Sequence, residues 1–237
     1  MGKKATPQQV FFDRWARTYD RTVQDYAYGA PQRIFDAVWP CLKFRPEPVL
    51  RMLDLGIGTG MTSKPFVETG RMHITGVDIS NRMLERGRAA GAADEFIQLN
   101  LERDDLPFAE KAFDAVISGG TFEFIYDPED VIREISRVLR PAGIVCVTFE
   151  TPETKDLYPP GLLQGVLENG EDRVIVQRFV VQDFRPCLYK KYLFSADIMQ
   201  RMFEGYGIVT LKNEGFTAYK WPGGRDIIYN IYLGQKI

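Results

Sequence analysis

The 237-residue chain has one histidine, His73, and three cysteines, Cys41, Cys146 and Cys187, with no C-x-x-C pair among them. A zinc centre draws its ligands from clustered Cys and His, so neither structural zinc nor metal-dependent chemistry is expected. An odd cysteine count offers no disulfide framework. Cys146, inside an apolar run, reads as a small buried hydrophobe, and the expected setting is a reduced, cytoplasmic one. No apolar run reaches the ~20 residues of a membrane helix, and the opening Met1-Gly2-Lys3-Lys4-Ala5 has no apolar segment to act as a secretory leader. Thr6 stands where a myristoylation signal wants Ser or Thr, but in a lysine-bearing context that reads as an ordinary N-terminus. Basic charge is not in excess either. Thirty Lys and Arg face 32 Asp and Glu, for a net charge of −2, and Lys3-Lys4 and Lys190-Lys191 are isolated doublets. Such a chain has no electrostatic footprint for nucleic acid, so no nucleic-acid partner is expected.

Hydrophobic residues make up 45% and charged residues 26%, enough for one α/β domain with a substantial core. Residues 49–55 form a short apolar run that stops at Gly56, Gly58 and Gly60, the pattern of a buried strand ending in a tight loop. Glycine there permits positive φ and lets a ligand approach the main chain, while a following helix would point free N–H groups into the loop. Eighteen residues on, Val77-Asp78-Ile79 closes a second apolar run, with Asp78 positioned to accept hydrogen bonds from a ribose diol. The unit reads as a nucleoside-binding βαβ. A dinucleotide fingerprint needs glycine at position 61, where this chain has Met61, and that spacing weighs against NAD or FAD.

The remaining punctuation supports alternating strands and helices. Residues 96–101 and 113–118 read as strands. Asp127-Pro128 opens a helix whose Val131, Ile132, Ile135, Val138 and Leu139 share a face, and Arg140-Pro141-Ala142-Gly143 ends it before a fifth strand at 144–149. Upstream, residues 7–24 and 31–42 read as helices. Downstream, Ser195 caps a helix to Glu204, and strands at 208–219 and 227–233 flank a Trp221-Pro222-Gly223-Gly224 turn. The expected fold is α/β: a Rossmann-like, doubly wound sheet of seven strands, mostly parallel with an antiparallel C-terminal strand, plus an N-terminal helical cap. One domain over residues 1–237 is expected, divided into the cap (1–46), a cofactor-binding core (49–150), an insertion or lid (151–194) and a C-terminal helix with antiparallel strands (195–237).

The D-x-G-x-G-x-G form beginning at Asp54, followed in order by Leu106-Pro107-Phe108, Phe113 to Ser118 and Val138 to Gly143, resembles the class I S-adenosylmethionine-dependent methyltransferases of type 11, the small-molecule group. That group includes ubiquinone- and menaquinone-pathway enzymes and malonyl-carrier-protein O-methyltransferases. The resemblance covers roughly residues 7 to 150. It implies S-adenosylmethionine as cofactor, with S-adenosylhomocysteine as product. The methionine end would rest on Asp54, Gly56, Gly58 and Gly60, and the ribose on Asp78. Ile79, Met83, Asn100, Leu101 and Ser118 would complete the site, Met83 and Asn100 on the adenine side. Asn100 stands where relatives often carry Asp; its oxygen can still accept a hydrogen bond, and the competing reading is a turn cap.

Trp15 to Asp20 resembles a W-A-x-x-Y-D segment that in relatives folds over the donor, which makes Tyr19 a catalytic candidate; Trp15 reads as packing. Glu123, just past the fourth strand, is the carboxylate best placed to face an acceptor as general base, the competing reading being a solvated loop residue. Ser118 to Phe124 carries no N-P-P-Y/F signature, which points away from methylation of nucleobase amines. His73 opens the second strand, at the end of the sheet away from ligands. The expected activity is methylation of O, N or C of a small-molecule acceptor. Alternatives are a quinone-precursor or carrier-tethered acyl acceptor, or a binding protein without turnover. Residues 151–194, with Tyr158, Pro159, Phe179, Phe184 and Tyr189, are expected to close over the acceptor; the competing reading is a homodimer contact.

Overall fold

The computed structural model describes residues 5–157, 163–168, 173–180, 187–221 and 225–237, with side chains outside 155–190 and 221–225. The N-terminal part holds α1 (Pro7–Trp15), α2 (Tyr19–Asp25) and α3 (Ala30–Leu42). Then come β1 (Leu50–Leu55), α4 (Lys64–Val67), β2 (Met72–Asp78), α5 (Asn81–Ala89), β3 (Glu95–Gln98), β4 (Phe113–Ser118), α6 (Pro128–Val138) and β5 (Leu139–Glu150). A 3-10 turn, Phe122–Phe124, follows β4. Three strands, β6 (Leu163–Glu168), β7 (Arg173–Val180) and β8 (Cys187–Phe194), precede α7 (Ala196–Gly205), β9 (Ile208–Trp221) and β10 (Arg225–Lys236).

The main sheet has seven strands in the order β3-β2-β1-β4-β5-β10-β9, parallel from β3 to β5 and antiparallel at β10 and β9. This is the sheet the alternating pattern predicts. Period-2 alternation sorts its side chains into two cores. Leu53 and Leu55 of β1 and Val116 of β4 meet Ile132 and Ile135 of α6 and Phe203 of α7 on one face. Leu50, Met52 and Ile117 meet Ile34, Val38 and Leu42 of α3 on the other. Both faces being covered, β4 is buried along its whole length.

Local signals hold at the helix starts. The side chains of Thr6, Ser80, Asp127 and Ser195 accept from backbone N–H groups two or three residues on, as N-caps do. Three expectations need correction. The helix expected over 7–24 is two, broken between Trp15 and Tyr19, where no Pro or Gly marks the break; the bend re-aims Tyr19 while its ring stays edge-on to Trp15 at 4.8 Å. The helix after the glycine loop is a single turn, so it supplies no extended N-terminus to the loop. The break expected at Arg140 to Gly143 is instead the start of β5, which begins at Leu139; beyond it, β6-β7-β8 form a separate antiparallel sheet. The turn at Pro222-Gly223-Gly224 and the side chains of Tyr158, Pro159, Phe179, Phe184 and Tyr189 lie outside the described residues. Among the described residues no helix is long and apolar enough to cross a membrane.

Candidate functional site

The sheet reverses its strand order between β1 and β4, and a cleft opens at the carboxyl ends of the strands there, where open α/β sheets receive ligands. It encloses about 690 Å³, solvent at its mouth included. Gly56 and Gly58 leave β1 with φ of +74° and +57° and form one wall. A side chain on Gly56 would begin 2.1 Å from the Thr121 hydroxyl on the opposite wall. Asp78 ends β2 in the cleft and ties the loop down: its Oδ2 accepts the Gly58 N–H at 2.9 Å and its Oδ1 the Ser80 N–H at 2.8 Å. A carboxylate accepts about four hydrogen bonds, so Asp78 retains capacity for a ligand diol.

Of the other residues singled out from sequence, Tyr19, Ile79, Met83, Asn100 and Leu101 also line the cleft. Asn100 does so as a turn residue, because its Oδ1 already accepts the Glu102 N–H at 3.0 Å. Asp54, Gly60 and Ser118 lie behind the wall. The Ser118 hydroxyl is buried and donates to the Leu55 carbonyl at 2.7 Å, tying β4 to the end of β1. Gly60, at φ +87°, packs so tightly that an added Cβ would stand 1.9 Å from the Cβ of Ala92. The helices of the cap contribute Gln8 and Phe12 to the cleft, and Asp13 accepts the Ser80 hydroxyl at 2.6 Å, which pins α1 to the start of α5. The cap residues Gln8 and Phe12 escaped sequence reasoning, as did the group around Glu123.

Asp54 is fully buried at the end of β1 and accepts the Ser63 hydroxyl at 2.6 Å. Burial pushes its carboxyl up to about 7, against the Ser63 hydrogen bond, with Asp78 adding to the rise. From the ordinary value of ~3.9 up to about 7, the folded chain keeps a proton that the unfolded chain has released. Asp54 therefore costs stability progressively as pH rises through that window, and no more above it. Asp54→Asn should gain melting temperature relative to the parent as pH rises from about 4 to about 7, then hold a constant margin. A margin independent of pH in thermal melts would contradict this.

Glu123 is not a solvated loop residue. It is 1% exposed on the 3-10 turn, and its Oε1 accepts the Tyr229 hydroxyl at 2.8 Å. Tyr229 also lies 2.8 Å from Glu150 Oε1, and Lys191, brought in by β8, pairs with Glu150 and stands 3.9 Å from Glu123. Burial is the main cause that raises the Glu123 carboxyl well above its ordinary range; Lys191 opposes the rise and Glu150 adds to it. Around it the phenols of Tyr19, Tyr28, Tyr219 and Tyr229 are all raised, chiefly by burial, and stay neutral hydroxyls. A buried polar group of opposite charges thus stands behind the cleft wall at Gly120.

Residues 53–147 match a family profile described as "Methyltransferase domain". The chain is 34% identical over 152 residues to methyltransferase-like protein 27 of Homo sapiens, covering 64% of this chain and 61% of that protein. It is 33% identical over 157 residues to the demethylmenaquinone methyltransferase of Clavibacter sepedonicus, covering 64% and 62%. The chain thus spans about three fifths of the length of these curated relatives. In fold it is similar to the 1,6-didemethyltoxoflavin-N1-methyltransferase of Burkholderia thailandensis, solved with 1,6-didemethyltoxoflavin and S-adenosylhomocysteine. The TM-score is 0.62 at 15% identity, over 100% of this chain and 92% of that one.

Proposed function

We propose that the chain is a class I S-adenosylmethionine-dependent methyltransferase of type 11, and that it transfers a methyl group from S-adenosylmethionine to O, N or C of a small molecule. The observation that carries this reading is the cleft wall itself: two glycines at positive φ, a carboxylate at the tip of the next strand, and apolar side chains beside it. The residues fit the cofactor. The backbone of Gly56 and Gly58 offers an approach free of side chains, Asp78 suits a ribose diol, and Ile79, Met83, Leu99 and Leu101 suit an adenine face.

When bound, the sulfonium supplies an already activated methyl group. The protein's contribution is then mostly orientation, which can be worth up to ~7–11 kcal/mol. Tyr19 and Phe12 line the cleft with rings, and Phe12 meets Phe124 edge-on at 5.1 Å, so the acceptor side is aromatic. That lining, with the 33% identity to a demethylmenaquinone methyltransferase, supports an aromatic acceptor such as a quinone precursor as the narrower form of the reading. The segment 151–194 would select it, since β8 reaches the site through Lys191.

The test is calorimetry with S-adenosylhomocysteine and NAD, followed by radiolabelled methyl transfer into a metabolite extract. Tight S-adenosylhomocysteine binding and a labelled small molecule are expected. Replacing β6 and β7 by a short linker should spare binding and abolish transfer. NAD binding without S-adenosylhomocysteine binding would overturn the reading; binding without any label would leave a binding protein, and label in protein alone a macromolecular acceptor.

A further inference from the structure

Asn100 lies between Leu99 and Leu101 on the stretch after β3, and all three line the cleft beside Ile79 and Met83. Its backbone is fixed on both sides. The Asn100 N–H donates to Asp104 Oδ2 at 3.1 Å, and the Asn100 carbonyl accepts the N–H groups of Arg103 and Asp104 at 3.0 and 2.9 Å. Its side chain is fixed by one bond, from the Glu102 N–H to Oδ1 at 3.0 Å. A backbone N–H needs an acceptor, so that bond settles which end of the amide is oxygen. The Nδ2 end donates to no described residue and is not closed off by protein. An amide carries its oxygen and nitrogen on opposite sides of one plane. With the oxygen turned to Glu102, what Asn100 presents outward is a pair of donors. Past it, a second chamber shares Ile79, Leu99 and Asn100 with the cleft and adds Gln98 and the donor-only side chain of Arg103. Asp104 also lines that chamber, and it is the carboxylate that accepts the Asn100 N–H.

We propose that Asn100 is a specificity-determining residue that meets the cofactor's purine as a hydrogen-bond donor, so that the exocyclic amino group of adenine is left unread. The inference rests on the methyltransferase reading. In a nucleoside, adenine has N–H donors only at that amino group, and its ring nitrogens are acceptors. An Asp at this place, as relatives often carry, presents an acceptor-only carboxylate and selects the amino group. Asn100 has the same shape, but its acceptor is held by the turn, and its NH2 suits a ring nitrogen instead. The wall therefore takes a purine nucleoside with or without the amino group. Selection is left to Asp78 at the ribose and to the apolar faces of Ile79, Met83, Leu99 and Leu101. Glu102 is the other carboxylate on this side of the cleft, and its Oε1 accepts the Tyr126 N–H at 2.9 Å.

Calorimetry tests this with no acceptor and no turnover. The parent and Asn100→Asp are each titrated with S-adenosylhomocysteine and with the analogue that carries unsubstituted purine in place of adenine. The exchange is isosteric: the new carboxylate keeps one oxygen on the Glu102 N–H, and only the outward atom changes from donor to acceptor. The two ligands should bind the parent within about tenfold of each other. In Asn100→Asp the ratio should move toward S-adenosylhomocysteine by roughly tenfold or more, as a hydrogen bond to a charged acceptor does. A residue that only shaped the turn would weaken both ligands alike and leave their ratio unchanged. Should Asn100→Asp fail to fold, the ratio in the parent decides alone. A parent preference for S-adenosylhomocysteine above about tenfold overturns the proposal and places the reading of the amino group at another acceptor, such as Glu102. A ratio that Asn100→Asp leaves unchanged overturns it as well. Failure of the parent to bind either ligand overturns instead the methyltransferase reading on which it stands.

Discussion

Asp78→Ala should weaken S-adenosylhomocysteine binding roughly tenfold to 150-fold, the equivalent of ~1.5–3 kcal/mol for hydrogen bonds to a charged group. Two losses combine. The ligand diol loses its acceptor, and the N–H groups of Gly58 and Ser80 lose the carboxylate that fixes the glycine loop at 2.9 and 2.8 Å. Asp78→Asn keeps one acceptor oxygen but not the charge, and should fall between parent and alanine. Acid gives an independent check. Burial raises the Asp78 carboxyl to about 6, with the Ser80 and Gly58 N–H groups pulling the other way. The ionised form is the one that accepts from a diol, so affinity in the parent should be full above about 6 and decline as pH falls through it. The decline should vanish in Asp78→Asn. Calorimetry across that range showing equal affinities for parent and Asp78→Ala would remove Asp78 from the site.

What the sequence made legible follows from how far apart the interacting residues lie along the chain. The glycine loop, Asp78 and the strand ends are local features of one βαβ unit, and the parallel sheet follows from their alternation. The helix caps at Thr6, Ser80, Asp127 and Ser195 act over two or three residues, and each stands where its residue type predicts. Asn100 was legible too, in its plainer sense: an Asn two residues before Glu102 makes the turn hydrogen bond such residues make. The group around Glu123 was not. Tyr229 lies 106 residues from Glu123 and 79 from Glu150, while Lys191 lies 41 from Glu150, and only the stacking of β5, β10 and β8 brings them together. In sequence Lys191 is half of an ordinary basic doublet. The break before Tyr19 was not legible either, because Ala16-Arg17-Thr18 between α1 and α2 includes no Pro or Gly.

Gly60→Ala is expected to produce the largest loss of stability from a single methyl group. At φ +87° an L-residue pays ~1–2 kcal/mol for the left-handed backbone, and overpacking a filled core adds ~1–3 kcal/mol. The added Cβ would stand 1.9 Å from Ala92 Cβ and 3.4 Å from its Cα, so the loop and the segment after α5 must move apart. Together these predict a melting temperature lower by roughly 4–20 °C. Gly70→Ala is the matched control, because Gly70 has φ +66° but nothing within 4 Å of its would-be Cβ; it should lose only the backbone share. Gly56→Ala should behave differently again. Its Cβ would press on Thr121 across the cleft, where the wall can shift, so S-adenosylhomocysteine affinity should suffer more than the melt. Equal melting losses in Gly60→Ala and Gly70→Ala would mean that Ala92 gives way freely. Gly60 would then hold the loop by its backbone angle alone.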